Sequence, residues 1–253
     1  EVAEHLANRG YDVQMVSSET DAATGAAGKN IIIVSSSLGS GTVVGDYKST
    51  AVPLLAWEGN IQDDERMTPA DGLSQGVTSG KQTITIVDAS HPMAAGFPAG
   101  DLVILNAKNN FLNDMTWGIP DANAQIVATI QGEPTHACVY GYEKGAVLTD
   151  GSTAAERRAI LPMSDVTFTY LNSAGVKIFD AAVDWVQSLT TAVAGPKFMS
   201  IVKNANGSLT VAWTGGGTLQ ASTDLKTWTD VAGATSPYTF TPPSATVFGR
   251  IKQ

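Results

Sequence analysis

The chain has 253 residues, with 24 Asp/Glu against 15 Lys/Arg, a formal charge of -9, 43% hydrophobic residues and only 15% charged ones. That balance, with no basic stripe, excludes nonspecific nucleic-acid binding, which needs clustered Lys and Arg against phosphate. No apolar run approaches the ~20 residues a membrane-spanning helix requires, and a single cysteine, Cys138, excludes an intrachain disulfide framework and a Cys-based zinc cluster.

The first residues, "EVAEHLANRGYDV", show neither Met nor a signal segment, which reads as a processed or truncated start. "VAEHLANRG" predicts the end of a helix, with Arg9 in the last turn and Gly10 where a left-handed residue is tolerated. "YDVQMVS" alternates as a strand. "NIIIVSSS" is a β-branched run suited to a strand buried on both faces of a parallel sheet, and "VPLLAWE" repeats it. "TVVGDYKST" between them leaves room for only a short crossover helix, so the two strands are expected to be parallel.

"KQTITIVDA" and "DLVILNA" follow without an intervening helix and predict an antiparallel excursion. "AQIVATIQG", "HACVYGYEKG" and "RRAILPM" add strands. "NSAGVKIFDAAVDWVQSL" places Ile178, Ala181, Ala182, Trp185, Val186 and Leu189 on one helical stripe, which should pack on the sheet.

Charge divides the chain: residues 1–195 hold 10 Lys/Arg against 22 Asp/Glu, and residues 196–253 hold 5 against 2. With the turn signal in "TTAVAGPKF", this predicts an α/β domain over 1–190, a linker over 191–197 and a small β-sandwich module over 198–253. The expected core of that module is Trp213, Leu219, Trp228, Tyr238, Phe240 and Phe248.

On "RGYDV", "IIIVSSS", "VPLLAWE", "SHPMAAGF", "RRAILPM" and "AAVDW", residues 1–190 resemble the class I glutamine amidotransferase-like fold, and within it the trehalose-utilisation-like (ThuA-like) proteins. The resemblance implies a flavodoxin-like, mostly parallel sheet with helices on both faces. It also implies a first strand ahead of the opening helix, supplied by upstream residues or donated by another subunit. "GGGTLQASTDLKTWTDVAGATSPYTF" resembles the short β modules of secreted planctomycete- and verrucomicrobial-type proteins, and the many Ser, Thr, Gly and Ala residues suit an extracellular or periplasmic bacterial protein.

In the family the strand-to-helix corner carries the catalytic cysteine, and the matching corner here is Ala56-Trp57-Glu58-Gly59-Asn60. A carboxylate cannot form a glutamyl thioester, and no histidine follows the last strand, where "LPMSD" stands, so glutaminase chemistry is not expected. The crevice beyond the strand ends is expected to involve Ser36, Ser37 and Gly39 of "SSSLGSG", together with Trp57, Glu58 and Asp63. His91 of "SHPMAAGF" is the other candidate, as acid or orienting group to a Glu58 base if the protein is an enzyme.

No cofactor or metal site is expected. Cys138 shares a period-two face with His136, Tyr140 and Tyr142, but i and i+2 side chains stand nearly 7 Å apart, too far for a Cys–His couple. Three functions follow as expectations. The first is a secreted binding or assembly protein on a degenerate amidotransferase-like domain, with the β module attaching it to a surface, glycan or partner. The second is a carbohydrate-active ThuA-like enzyme using Glu58 and His91, and the third is a self-assembling structural subunit.

Overall fold

The structure, a computed structural model, describes residues 1–16, 25–43, 45, 47–106, 114–187, 197–214, 217–242 and 246–252. Contacts divide the chain into two compact units, Glu1–Leu189 and Thr190–Gln253. Leu189 and residues 191–196 of the expected linker lie outside the described residues.

The first unit opens on α1 (Val2–Asn8). Gly10 has φ 94°, the conformation that lets the chain turn away at a helix end without a Cβ clash. The strand expected at "YDVQMVS" is not formed over residues 11–16. Tyr11 and Val13 pack partly against the core, but no described strand pairs with the segment, and alternation without a neighbouring ladder does not make a strand.

The strands that follow are β1 (Ile32–Val34), β2 (Leu54–Ala56), β3 (Gln75–Thr78), β4 (Thr83–Ile86), β5 (Gly100–Val103), β6 (Met115–Gly118), β7 (Gln125–Ile130), β8 (Glu133–Tyr142) and β9 (Arg158–Ile160). The helix α2 (Ser173–Val186) closes the unit. These strands form one nine-stranded sheet in the order β1-β2-β9-β8-β7-β4-β5, with a β3–β6 pair joined through β6 to β8. Only β1–β2 and β2–β9 pair in parallel. The other pairings are antiparallel, so the sheet is mixed and not mostly parallel as expected. The physical reason is local: short turns such as that between β7 and β8 return the chain antiparallel, whereas a parallel neighbour needs a long crossover.

Alternation along β2 separates two buried faces. Leu55 and Trp57 join a cluster with Leu6 of α1 and Ile178, Phe179, Ala182, Val183, Trp185 and Val186 of α2. Leu54 and Ala56 face the other way, against Val34, Ile61, Met67, Tyr140, Leu148 and Ile160. Both described α-helices therefore cover one face, while loop residues such as Ile61, Met67 and Leu148 cover the other. Burial of a face on each side explains why these strands read as continuous apolar runs.

α2 starts where the Asn172 side chain accepts the Ala174 and Gly175 N–H groups at 2.9 and 3.0 Å. Of the expected stripe, Ile178, Ala182, Trp185 and Val186 are buried. Ala181 is only partly so, and Phe179 and Val183, absent from that stripe, are fully buried. The Arg157 guanidinium bonds the Trp185 carbonyl at 2.7 Å and lies 4.9 Å from its ring, finishing the helix. Asp180 and Asp184 of α2 receive His5 of α1 and Arg9 just past its end at 2.7 and 2.5 Å.

The second unit comprises β10 (Lys197–Lys203), β11 (Leu209–Thr214), β12 (Thr218–Ser222), β13 (Thr229–Asp230), β14 (Tyr238–Phe240) and β15 (Phe248–Lys252). They form two three-stranded antiparallel sheets, β10-β11-β14 and β13-β12-β15. Val211, Trp213 and Leu219 are its buried centre, with Phe198, Val231, Tyr238, Phe240 and Ile251 packed around them. Trp228 and Phe248 do not belong to that cluster. The Trp228 ring instead lies 4.3 Å under the Arg250 guanidinium, which occupies one of its faces.

Candidate functional site

The parallel strands β1, β2 and β9 stop together. Val34 pairs with Ala56 and Ala56 with Ile160, and two further bonds, Trp57 N–H to the Val34 carbonyl at 3.1 Å and Leu161 N–H to the Ala56 carbonyl at 3.0 Å, close the ladders. Their next residues continue past the carboxyl ends of the strands, the region where open parallel strands bind ligands.

Trp57 does not line that region. It is 2% exposed, meets Phe179 edge to face at 6.1 Å, and its carbonyl accepts the Thr116 hydroxyl at 2.9 Å. Glu58, the next residue, is 7% exposed. Its Oε1 accepts the Asn60 N–H at 3.3 Å. Burial pushes the Glu58 carboxyl above its ordinary range, the Asn60 N–H opposes this, and the charge of Asp165 adds to it. A carboxyl in that state spends more of its time protonated and can then donate as well as accept.

Ser36 and Glu58 each stand two residues beyond the paired Val34 and Ala56, on strand ends spaced by ~4.8 Å. The Ser36 hydroxyl oxygen is buried and has no hydrogen-bond partner. Its neighbour Ser37 turns back on Ser35, with 3.1 Å between the two hydroxyls. Gly39 is exposed and precedes a short 3-10 turn over Ser40–Thr42.

Asp63 has a different use. Its N–H donates to the Gln75 amide oxygen at 3.0 Å and its Oδ1 accepts the Gln75 amide at 2.5 Å and the Asp64 N–H at 3.0 Å, so it clasps the loop after β2 to β3. The same loop is held from beneath by Arg158, which is 1% exposed. Arg158 donates to the carbonyls of Glu65 at 3.0 Å and Lys48 at 3.1 Å, and its Nη1 lies 3.6 Å from the Glu65 carboxylate. Burial lowers the Arg158 pKa and Glu65 opposes the shift.

His91 does not join Glu58. The ring Nδ1 accepts the Met93 N–H at 3.1 Å, capping the 3-10 turn Pro92–Ala94, and Nε2 donates to Gln125 Oε1 at 2.9 Å. It packs on Trp185 at 5.1 Å, in the last turn of α2. Trp57 meets the same helix six residues earlier, at Phe179, about 9 Å away along the axis. Strand direction agrees, because β4 runs antiparallel to β7 and β7 to β8, which is antiparallel to β9. The end of β4 that leads to His91 therefore lies at the opposite edge of the sheet from Glu58.

Cys138 stands in a β-bulge. Thr129 pairs with Ala137 and Ala128 with Val139, leaving Cys138 as the extra residue, with its thiol 3.6 Å from the Ala128 carbonyl. Cys138 and Val139 both face the helices, whereas Ala137, Tyr140 and Tyr142 face the loops, so the expected common face does not exist. Burial drives the thiol pKa far up, and no thiolate forms. His136 instead stacks on Trp117 at 3.7 Å and bonds Glu133 at 2.7 Å.

Two residues of the strand-end region were not singled out in the sequence. Asp165 lies in "LPMSD" just beyond β9, a position that strand ends alone pointed to, and its charge acts on Glu58. Asp114 precedes β6; its carbonyl accepts the Thr167 hydroxyl at 3.0 Å, and its Oδ1 is buried with no hydrogen-bond partner. Among the described residues no group of three or more His, Cys, Asp or Glu is placed to hold a metal, and no helix is long and apolar enough to cross a membrane. The chain matches no protein-family model and no curated protein.

Proposed function

We propose that the chain is a secreted bacterial binding or assembly protein. Its first unit is an amidotransferase-like α/β domain of the trehalose-utilisation type that has lost glutaminase chemistry. The second unit attaches it to a surface or partner. One observation carries the reading: the strand-end corner presents the buried carboxyl of Glu58, while the only thiol is sealed in a bulge of β8. On the neighbouring strand end, the unpartnered Ser36 hydroxyl supplies a second hydrogen-bonding group. A carboxyl that holds its proton more tightly than usual, with a hydroxyl that both donates and accepts, suits the hydroxyls of a sugar.

The test is calorimetric titration of the full chain with trehalose and with short glucans, alongside assays for glutamine and glycan hydrolysis. Saturable binding weakened at least tenfold by Ser36→Ala and Glu58→Gln, without turnover, is the expected result. Turnover abolished by Glu58→Gln would overturn the non-catalytic reading. The enzyme reading draws support from the raised Glu58 pKa, which suits a general base. It needs an acid other than His91, whose nitrogens are both engaged at the opposite edge of the sheet.

A further inference from the structure

β10 is an edge strand. It pairs with β11 over Lys197–Lys203, and among the described residues nothing pairs with its other side. A bulge at Met199 interrupts the strand, and the regular run Ser200–Lys203 beyond it leaves free backbone as a template for another strand. The side chains reinforce this, because Met199, Ile201 and Val202 are 64%, 63% and 51% exposed. Among the described residues they are the most exposed large apolar group on any one strand. Ile201 pairs with the buried Val211 and so lies on the core-facing side of its sheet, yet stays uncovered. The stretch "KFMSIVK" has high β-propensity and no Pro, Gly or acidic residue.

Charge decides what fits this edge. The strand begins and ends on lysine, and residues 196–253 carry five Lys/Arg against two Asp/Glu. A second copy would bring the same two lysine ends and the same net positive charge to this edge, and like charges brought together across a strand pair destabilise it. An incoming strand with acidic ends meets attraction at the same two places and steers toward a cationic unit. We propose that the open edge of β10 binds an extended apolar segment with acidic ends from another protein, added as an antiparallel strand. This rests on the reading of the second unit as an attachment module and names the chemistry of its partner.

The full chain is titrated into two fluorescein-labelled peptides, DVTVTVE and KVTVTVK, and followed by anisotropy. Saturable binding of the acidic-ended peptide is expected, at least tenfold tighter than of the lysine-ended one and weakened by raising the salt from 0.05 to 0.5 M. The double substitution Ile201→Glu with Val202→Glu, at exposed positions, removes the apolar contacts and repels the acidic ends, and should weaken it at least tenfold while leaving the thermal midpoint within a few degrees. Equal binding of both peptides overturns the proposal. So does a dimer in light scattering that this double substitution dissolves, since the occupant is then a second copy. Binding to phosphatidylglycerol vesicles but to neither peptide overturns it while leaving the attachment reading in place. Binding to none of these probes, with no dimer, counts against both.

Discussion

The two halves of the large sheet treat their polar groups in opposite ways. In β1, β2 and β9 the strands are parallel and stop level, so Ser36, Glu58 and Asp165 leave the sheet at one edge with few partners. In the antiparallel half most of the polar groups named here are closed onto neighbours, the buried Asp114 Oδ1 and Trp117 Nε1 being exceptions. Glu133 accepts Lys81, His136 and Thr78, and His91 is held between Met93 and Gln125. Burial alone would raise the Glu133 pKa, but those donors hold it below its ordinary range. The difference follows from topology: antiparallel turns bring each strand end back beside a partner, whereas parallel strands gather several unpaired ends in one place.

This contrast can be broken at several points. The largest effect is expected where α2 spans both halves: Trp185 packs on His91 from one and bonds Arg157 beside the other. Trp185→Asp buries a charge in place of a filled core site and should cost more than about 4 kcal/mol, leaving no cooperative thermal transition for the first unit. An unchanged melt would remove α2 from the core.

Next comes the buried pair beneath the strand ends. Arg158→Met alone removes the buried cation 3.6 Å from the Glu65 carboxylate and should cost about 3–5 kcal/mol in urea denaturation. Adding Glu65→Gln should recover a large part of that loss. A double variant as unstable as the single one would show that Arg158 acts through the carbonyls of Glu65 and Lys48 instead.

A smaller effect is expected at Gly118. A Cβ there would stand 2.6 Å from the Tyr140 hydroxyl and closer still to the Gln62 amide oxygen, two groups bonded to each other at 2.5 Å. Gly118→Ala should cost about 1–3 kcal/mol, read as a lowered urea midpoint, because a buried hydrogen-bonded pair must part. Unchanged stability would mean that β6 can move away from β8.

The smallest effect sharpens the contrast at Glu58. Its folded-state pKa is raised, so the folded protein is penalised as pH rises through the interval between the ordinary value of 4.5 and the raised one. Below that interval both states are protonated and the penalty vanishes. Glu58→Gln should therefore raise the thermal midpoint at pH 7 by a degree or two, with the gain disappearing at pH 4. A gain that grows on acidification would mean that the ionised form is the stabilised one.

How much of this was legible follows from what each sequence signal measures. "IIIV", "LLAW" and "AIL" are β-branched or apolar throughout, the composition that suits a strand buried on both faces. "QGVT" and "MTWG", which became β3 and β6, carry no such run; they are strands because they pair with each other and with β8. Tyr11–Val16 shows the converse, an alternating pattern with no ladder beside it. The bulge at Cys138 was invisible because period-two reasoning assumes an unbroken pleat, and one extra residue moves the thiol to the other face. Glu58 was visible as a carboxylate at a corner, whereas the opposite placement of His91 depended on strand directions that a single turn can reverse.

The position of β9 has a consequence for synthesis. β9 lies between β2 and β8, yet it emerges about a hundred residues after β2. Until Arg158–Ile160 and α2 leave the ribosome, the Leu54–Ala56 edge and the Tyr140–Tyr142 edge have nothing to join them. The nascent chain must carry two half-sheets with bare apolar rims for several seconds at ordinary elongation rates of roughly 5–20 residues per second. During that time it is a client for chaperones, and the last quarter of the first unit works as the clasp that ends the dependence.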